Sequence, residues 1–200
     1  MTKTVFIDCG AHTGESIPVV KKKYGEDTTI WCFEPVPCLA NHIYDNWKDD
    51  PKVAVYCVAA YASGDFAVLR QNDNSCSATI HPKKRMPGVS KPCRTVPCID
   101  LPRFVAQLAA GPSPWRQHDQ VILKLDVEGA EYEILECTNP EHLTDLYVEW
   151  HSERIDDDTL PRREAMLMED FKDVYRGDWV VKSKHIPMDY DAVPYPEIMP

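Results

Sequence analysis

No apolar stretch in this chain approaches the ~20 residues of a membrane-spanning helix, and none near its start reads as a signal peptide. A cytoplasmic protein is therefore expected. No Cys-x-x-Cys occurs among the 8 cysteines, and only Cys93 and Cys98 approach a close pair, so paired zinc-ligand spacing is absent. Several cysteines lie inside apolar runs, where a reduced thiol packs as a small hydrophobe; buried free thiols in an intracellular setting are expected. Positive charge is scarce as well: 22 Lys and Arg against 32 Asp and Glu leave a net charge of −10. Such a surface repels a phosphate backbone and argues against bulk nucleic acid as a partner. The dinucleotide spacing G-x-G-x-x-G is missing too. One stretch lacks acids instead: between Asn74 and Ile99 there are none, while Lys83, Lys84, Arg85, Lys91 and Arg94 are present. It reads either as a seat for an anionic acceptor or as a solvated loop.

What is present fits an α/β domain. The 200 residues, 44% of them hydrophobic, suffice for one domain with a sizeable core. Strand and helix patterns alternate, which points to βαβ units and a parallel sheet. Strands are expected at Val5–Asp8, Ile30–Phe33, Val53–Val58, Phe66–Arg70, Val121–Leu125 and Leu143–Val148. Helical stripes run through Ile17, Val20 and Tyr24, through Leu39, Ile43 and Trp47, and from Asp100 through Leu108. Two more helices are expected, from Gly129 to about Cys137 and from about Asp158 to Met168. The segment Gln71–Arg94 shows no period and reads as a long loop. A closing hairpin is expected around Gly177-Asp178, with Val174–Tyr175 and Trp179–Val181 as its arms, and the proline-rich residues 187–200 as an extended tail.

Two clusters carry chemistry. Val5 to Gly14 is an apolar run ending in Asp8 and a tight loop with Gly10 and Gly14, and Glu34 ends the next apolar run. In an open α/β sheet such glycines let the backbone approach a nucleoside while the following acid takes the ribose hydroxyls. A free carboxylate at Asp8 would repel a pyrophosphate, which wants bare N–H groups, but suits an ammonium-bearing ligand such as S-adenosylmethionine. The second cluster is Lys124-Leu125-Asp126-Val127-Glu128-Gly129-Ala130-Glu131. Lys124 and Asp126 alternate with apolar residues, so one strand points both the same way. Charges on a buried strand must be paired or used. Glu131 reads as compensation of a helix dipole, Asp126 as functional. Glu149 and His151 share a side where the following strand runs out, and an imidazole there suits a general base. Asp126, Glu149 and His151 together could hold a divalent cation, although their spacing does not demand one.

These motifs together resemble the FkbM-type methyltransferases. The resemblance rests on Phe6 to Gly14, Phe33-Glu34-Pro35, Ser75-Cys76-Ser77, Val96 to Leu101 and Lys124 to Glu131, and covers Val5 to about His151. It implies a Rossmann-like class I fold over residues 1–186, with helices on both faces of a mostly parallel seven-stranded sheet. One strand near the C-terminus would be antiparallel, a place that Trp179–Val181 fits. It also implies S-adenosylmethionine as cofactor and an O-methyltransferase acting on a hydroxyl of a sugar or glycan, the sugar free or nucleotide-activated. Carried over by position, Asp8, Gly10, Ala11, His12 and Gly14 line the methionine end, Glu34 and Pro35 the ribose, Ala59 the adenine, and Ser75 and Ser77 the cofactor or acceptor. His12 stands where the family usually has Asn. Asp126 lies beside the sulfonium, with His151, Lys124 and Glu149 as its catalytic company, and Trp115 and Trp150 could flank a sugar. The alternatives are a small polyketide-like or aromatic acceptor, or a cofactor-binding domain without catalysis inside a larger polypeptide.

Overall fold

The computed structural model describes residues 2–71, 78–84, 94–110 and 118–179. β1 (Thr4–Cys9) leads into α1 (Ser16–Tyr24), β2 (Thr29–Phe33) into α2 (Pro37–Trp47), and β3 (Val53–Tyr56) follows. Next come β4 (Ala59–Tyr61), β5 (Phe66–Gln71), β6 (Ala78–Thr79), β7 (Arg94–Asp100) and α3 (Leu101–Ala110). β8 (Gln120–Leu125), α4 (Glu131–Glu136), β9 (Asp145–Val148) and α5 (Leu160–Asp170) complete the order. Local chemistry explains several boundaries. Pro37 opens α2, where a missing N–H costs no intrahelical bond. The Asp100 carboxylate accepts the Arg103 N–H at 3.1 Å at the start of α3.

The main sheet has the order β3-β2-β1-β8-β9, with every pairing parallel. Alternation along β1 sends Val5, Ile7 and Cys9 to one face and Phe6 and Asp8 to the other. The first set joins Leu123, Leu125 and the α3 side chains Leu101, Val105 and Leu108 in one core cluster. On the other face Phe6, Ile30 and Ile122 pack against Ile17 and Val20 of α1 and Ile43 of α2. Phe6, Ile7, Ile122 and Leu123 are wholly buried, each contributing about 1.5–3 kcal/mol relative to exposure. Because all the strands run one way, the loops after β1, β2, β8 and β9 leave the same edge of the sheet, where α/β ligands bind.

A second sheet, β4-β7-β5-β6, stands beside the first; β4 and β7 are parallel, and β5 is antiparallel to both β7 and β6. The expectation of a single seven-stranded sheet is corrected here: among the described residues the main sheet has five strands, and the antiparallel pairs lie in the second. The third strand also ends earlier than Val58. Its ladder with β2 closes at Tyr56, and Ala59 already pairs with Cys98 of β7. β7 itself was not among the expected strands; Pro97 within it lacks the N–H that a ladder uses.

The expected hairpin takes another form. Tyr175 makes a parallel bridge to Leu146 of β9, and Trp179 packs on Phe6 and Tyr147 with ring centroids 5.1 and 4.7 Å away. The rest of the Trp179–Val181 arm and the proline-rich tail lie outside the described residues, as do Ser75, Ser77 and Trp115. Cys9, Cys32, Cys38, Cys57, Cys98 and Cys137 are free thiols, the first three buried. No helix among the described residues is long and apolar enough to cross a membrane.

Candidate active site

β1 ends in a loop built from left-handed residues: Gly10 at φ 74°, His12 at φ 51° and Gly14 at φ 81°. The N–H groups of Gly10 and Ala11 donate to the Phe33 carbonyl at 3.0 and 3.3 Å, which ties the loop to the end of β2. The Asp126 N–H donates to the Cys9 carbonyl at 3.1 Å and ties it to β8. A Cβ on Gly10 would fall 1.8 Å from the Asp126 carbonyl oxygen. Gly10 must therefore be glycine for the ends of two strands to touch. Gly10→Ala combines left-handed strain with overlap against backbone, and is expected to lower stability by roughly 2–5 kcal/mol. Chemical denaturation checks this; an unchanged midpoint would contradict it.

Register explains the buried ion pair. Asp8 and Lys124 are direct partners across β1 and β8, on the face that carries Phe6 and Ile122. Lys124 Nζ lies 3.0 Å from Asp8 Oδ1 and 3.6 Å from Asp126 Oδ2, and donates to the Gly10 carbonyl at 2.8 Å. Burial disfavours the Lys124 charge, but Asp8 and Asp126 outweigh it and hold the ammonium above its ordinary range. Asp8 is 0% exposed. The free carboxylate expected there is therefore corrected: Asp8 faces Lys124 inside the sheet.

After β8 the chain turns sharply, with Glu128 at φ 58° and Gly129 at φ 118°. One carboxylate organises the turn. Glu131 Oε1 accepts the N–H groups of Val127 and Gly129 at 3.1 and 3.2 Å, and lies 2.9 Å from His151 Nδ1. Because that oxygen is an ionic acceptor, the proton of a neutral His151 belongs on Nδ1, leaving the Nε2 lone pair open. Nε2 lies 3.4 Å from Glu128 Oε2, and 3.9 Å from both Asp126 Oδ1 and Glu149 Oε1. His151 itself is 5% exposed. Glu149 is held above the ordinary carboxylate range, first by the charge of Asp126 and then by burial. Atoms of Asp126, Glu128 and His151 that could ligate a metal all lie within 4.8 Å of one another.

These loops enclose a cleft of about 480 Å³, walled on the opposite side by Ala59, Leu69 and Ala78 of the second sheet. Gly10, Ala11, His12, Glu34, Pro35, Lys124, Asp126 and Glu149 all line it. Glu34 is buried at its floor, where its two oxygens accept the N–H groups of His12 and Val36, each at 2.9 Å. Burial pushes the Glu34 carboxyl up to about 7 despite those bonds. Burial would also raise Glu15, but hydrogen bonds from His12 and Thr13 pull it down to about 2.

Residues 8–176 match the family model described as Methyltransferase FkbM domain. The chain belongs to the FkbM methyltransferase family. Comparison with curated proteins and with solved structures gave no match. The matched residues include the glycine loop, the Lys124–Glu131 turn and His151.

Four expected members stand back from the cleft walls; His151 is one of them, reaching the lining residues Asp126 and Glu149 at 3.9 Å. Asp8 is turned to Lys124. Gly14 is turned to the α1 and α2 side, where a Cβ would lie 3.1 Å from the Ile17 side chain and 3.3 Å from that of Ile43. Trp150 stacks at 5.2 Å on Tyr132, and its indole N–H donates to the Tyr175 hydroxyl at 3.4 Å. Ser77, expected at the cofactor, is outside the described residues. Glu131, Glu128 and Arg154 were not among the expected site residues, yet they stand with Asp126 and His151 in this group. Lys83 and Lys84, read as either part of an anion seat or part of a solvated loop, face carboxylates: Lys83 lies 3.0 Å from Asp157, and Lys84 meets Glu128.

Proposed function

We propose that this FkbM methyltransferase moves the methyl group of S-adenosylmethionine onto a hydroxyl oxygen of a sugar or glycan. The observation that carries the reading is the buried Glu131–His151 pair, whose Nε2 faces Asp126 and Glu149 at one end of a cleft that has Glu34 at the other. The residues fit the cofactor. Glu34, an acceptor at the end of β2, suits a ribose diol, with Pro35 and Ala59 beside it for the base. Glu15, Asp126 and Glu149 suit the positive sulfonium and ammonium groups. When bound, S-adenosylmethionine supplies an electrophilic methyl group.

The chain's own residues then perform four tasks. Lys124 fixes the loop carbonyl of Gly10 and stands beside Asp126, setting where that carboxylate points. Asp126 orients the acceptor hydroxyl for in-line approach. His151 receives the hydroxyl proton on Nε2, and Glu131 steadies the resulting imidazolium through Nδ1. Glu149 supplies a further acceptor at the cleft mouth. The carboxylate-rich wall favours a neutral polyol acceptor over one carrying a pyrophosphate.

Glu34 gives this reading a pH dependence. A carboxyl held at about 7 binds a diol as an acceptor only when ionised, so affinity for S-adenosylmethionine should hold above pH 7 and fall below it, by up to about tenfold per unit. Without ligand the sign reverses. Between its ordinary value and about 7 the folded state keeps a proton that the unfolded chain has lost, so this group's contribution to stability falls as pH rises through that window. Calorimetry at pH 6 and pH 8 on the native chain and on Glu34→Gln checks both, and a flat profile in the native chain would contradict them.

The acceptor is tested with methyl-labelled S-adenosylmethionine offered to neutral sugars, nucleotide-activated sugars and aromatic alcohols. Label on a neutral sugar hydroxyl is the expected product. Label only on an aromatic alcohol would replace the sugar assignment. Binding of the cofactor without transfer to any of them would support a non-catalytic domain.

A further inference from the structure

We propose that Lys84 is a positioning residue of the acceptor end, a resident ammonium that takes the place of a divalent cation among Asp126, Glu128 and His151. Two carboxylates and an imidazole within 4.8 Å make a donor set of the kind that binds a hard divalent ion. Lys84 is driven into that set. It is 3% exposed, and its Nζ contacts the Glu128 carboxylate directly. Burial and the charge of Arg154 depress the Lys84 ammonium, while Glu131, Asp126 and Glu149 support it.

The segment that delivers Lys84 is anchored at several points. The Thr79 hydroxyl donates to the Glu128 carbonyl at 2.6 Å, and the Arg70 guanidinium donates to the carbonyls of His81 and Lys84. Lys84 also forms an antiparallel bridge with Ile155, and the Asp156 N–H donates to the Lys83 carbonyl at 3.3 Å. A surface lysine that happened to fold inward would need none of these ties. Four carboxylates crowd His151 here: Asp126, Glu128, Glu131 and Glu149. Unbalanced, they would repel negative charge developing on an acceptor oxygen; an ammonium among them offsets that repulsion and fixes the Glu128 carboxylate.

The kinetic half of this inference rests on the function proposed above, whereas the metal-binding half does not. Mn²⁺ is the probe, read by electron paramagnetic resonance. The native chain should bind none at this cluster. Lys84→Met vacates the cation position and should create one Mn²⁺ site, abolished in Lys84→Met/Asp126→Asn. Its kcat should fall about 10²-fold with KM for S-adenosylmethionine nearly unchanged, and Lys84→Arg should recover most of the rate. If Lys84→Met does not fold, Lys84→Met/Glu128→Gln removes both charges together; slow turnover by that variant supports the role and native turnover overturns it. Mn²⁺ bound by the native chain and lost in Asp126→Asn would overturn the proposal, as would a folded Lys84→Met that binds none. Should no acceptor be methylated by the native chain, the functional reading fails while the Mn²⁺ results still decide the role of Lys84.

Discussion

His151→Ala is expected to lower kcat by about 10²–10⁴-fold, the usual contribution of a positioned general base, while leaving cofactor affinity close to native. The split follows from geometry. His151 sits in the Asp126–Glu131–Glu149 group at the β8 and β9 ends, and the proposed ribose ligand Glu34 directly follows β2, the strand on the far side of β1. The variant should also fold. Glu131 keeps its acceptor role toward the Val127 and Gly129 N–H groups, so the turn after β8 retains its internal support. Steady-state kinetics with calorimetry on the same sample check the claim. A loss of cofactor binding equal to the loss of rate would mean that His151 holds the cleft together rather than moving a proton. Glu131→Gln should fall between native and His151→Ala, because an amide still fills the space but steadies an imidazolium poorly.

Lys124→Met should cost about 3–5 kcal/mol of stability, or roughly 6–20 °C in melting temperature, because it strands a buried carboxylate. Asp8 is wholly buried and faces Lys124 at 3.0 Å; methionine would leave that charge uncompensated and the Gly10 carbonyl without its side-chain donor. The double variant Asp8→Asn/Lys124→Met removes the stranded charge and should recover most of the loss, which separates an ion-pair effect from a packing defect. Thermal melts of the native, single and double variants give the coupling directly. If Lys124→Met melts within a degree or two of native, the ion pair is not structural.

The same pair shows how far the sequence could be read. Alternation placed Lys124 and Asp126 on one side of a strand, and the structure puts them 3.6 Å apart. What alternation could not supply was register. Only the pairing of Asp8 with Lys124 across β1 and β8 makes the first acid of the glycine loop an internal counter-ion. Glu131 was read only in part for a similar reason: it does stand in the first turn of α4, but its contact with His151 was not foreseen. Its place at the start of α4 made dipole compensation sufficient, and nothing local linked it to His151 until parallel pairing set β9 beside β8.

The five strands of the main sheet, with α1 and α2, were legible because their apolar patterns are local. Of the second sheet only β5 was legible, as Phe66–Arg70; β7 carries Pro97 and is separated from β5 by an aperiodic stretch. Lys84 belongs to that stretch. Its composition read as either a seat for an anion or a solvated loop; the fold instead delivers the charge to Glu128.

The most direct test of the central claim uses S-adenosylmethionine labelled with ¹³C in its methyl group, a panel of neutral sugars, and the native and His151→Ala chains, with nuclear magnetic resonance reporting the position of the label. The expected result is an O-methyl signal on a sugar carbon with the native chain, nearly absent with His151→Ala although that variant still binds the cofactor. An O-methyl signal of equal strength with both chains, or none with the native chain on any hydroxyl acceptor despite bound cofactor, would contradict a Glu131–His151 methyl-transfer site.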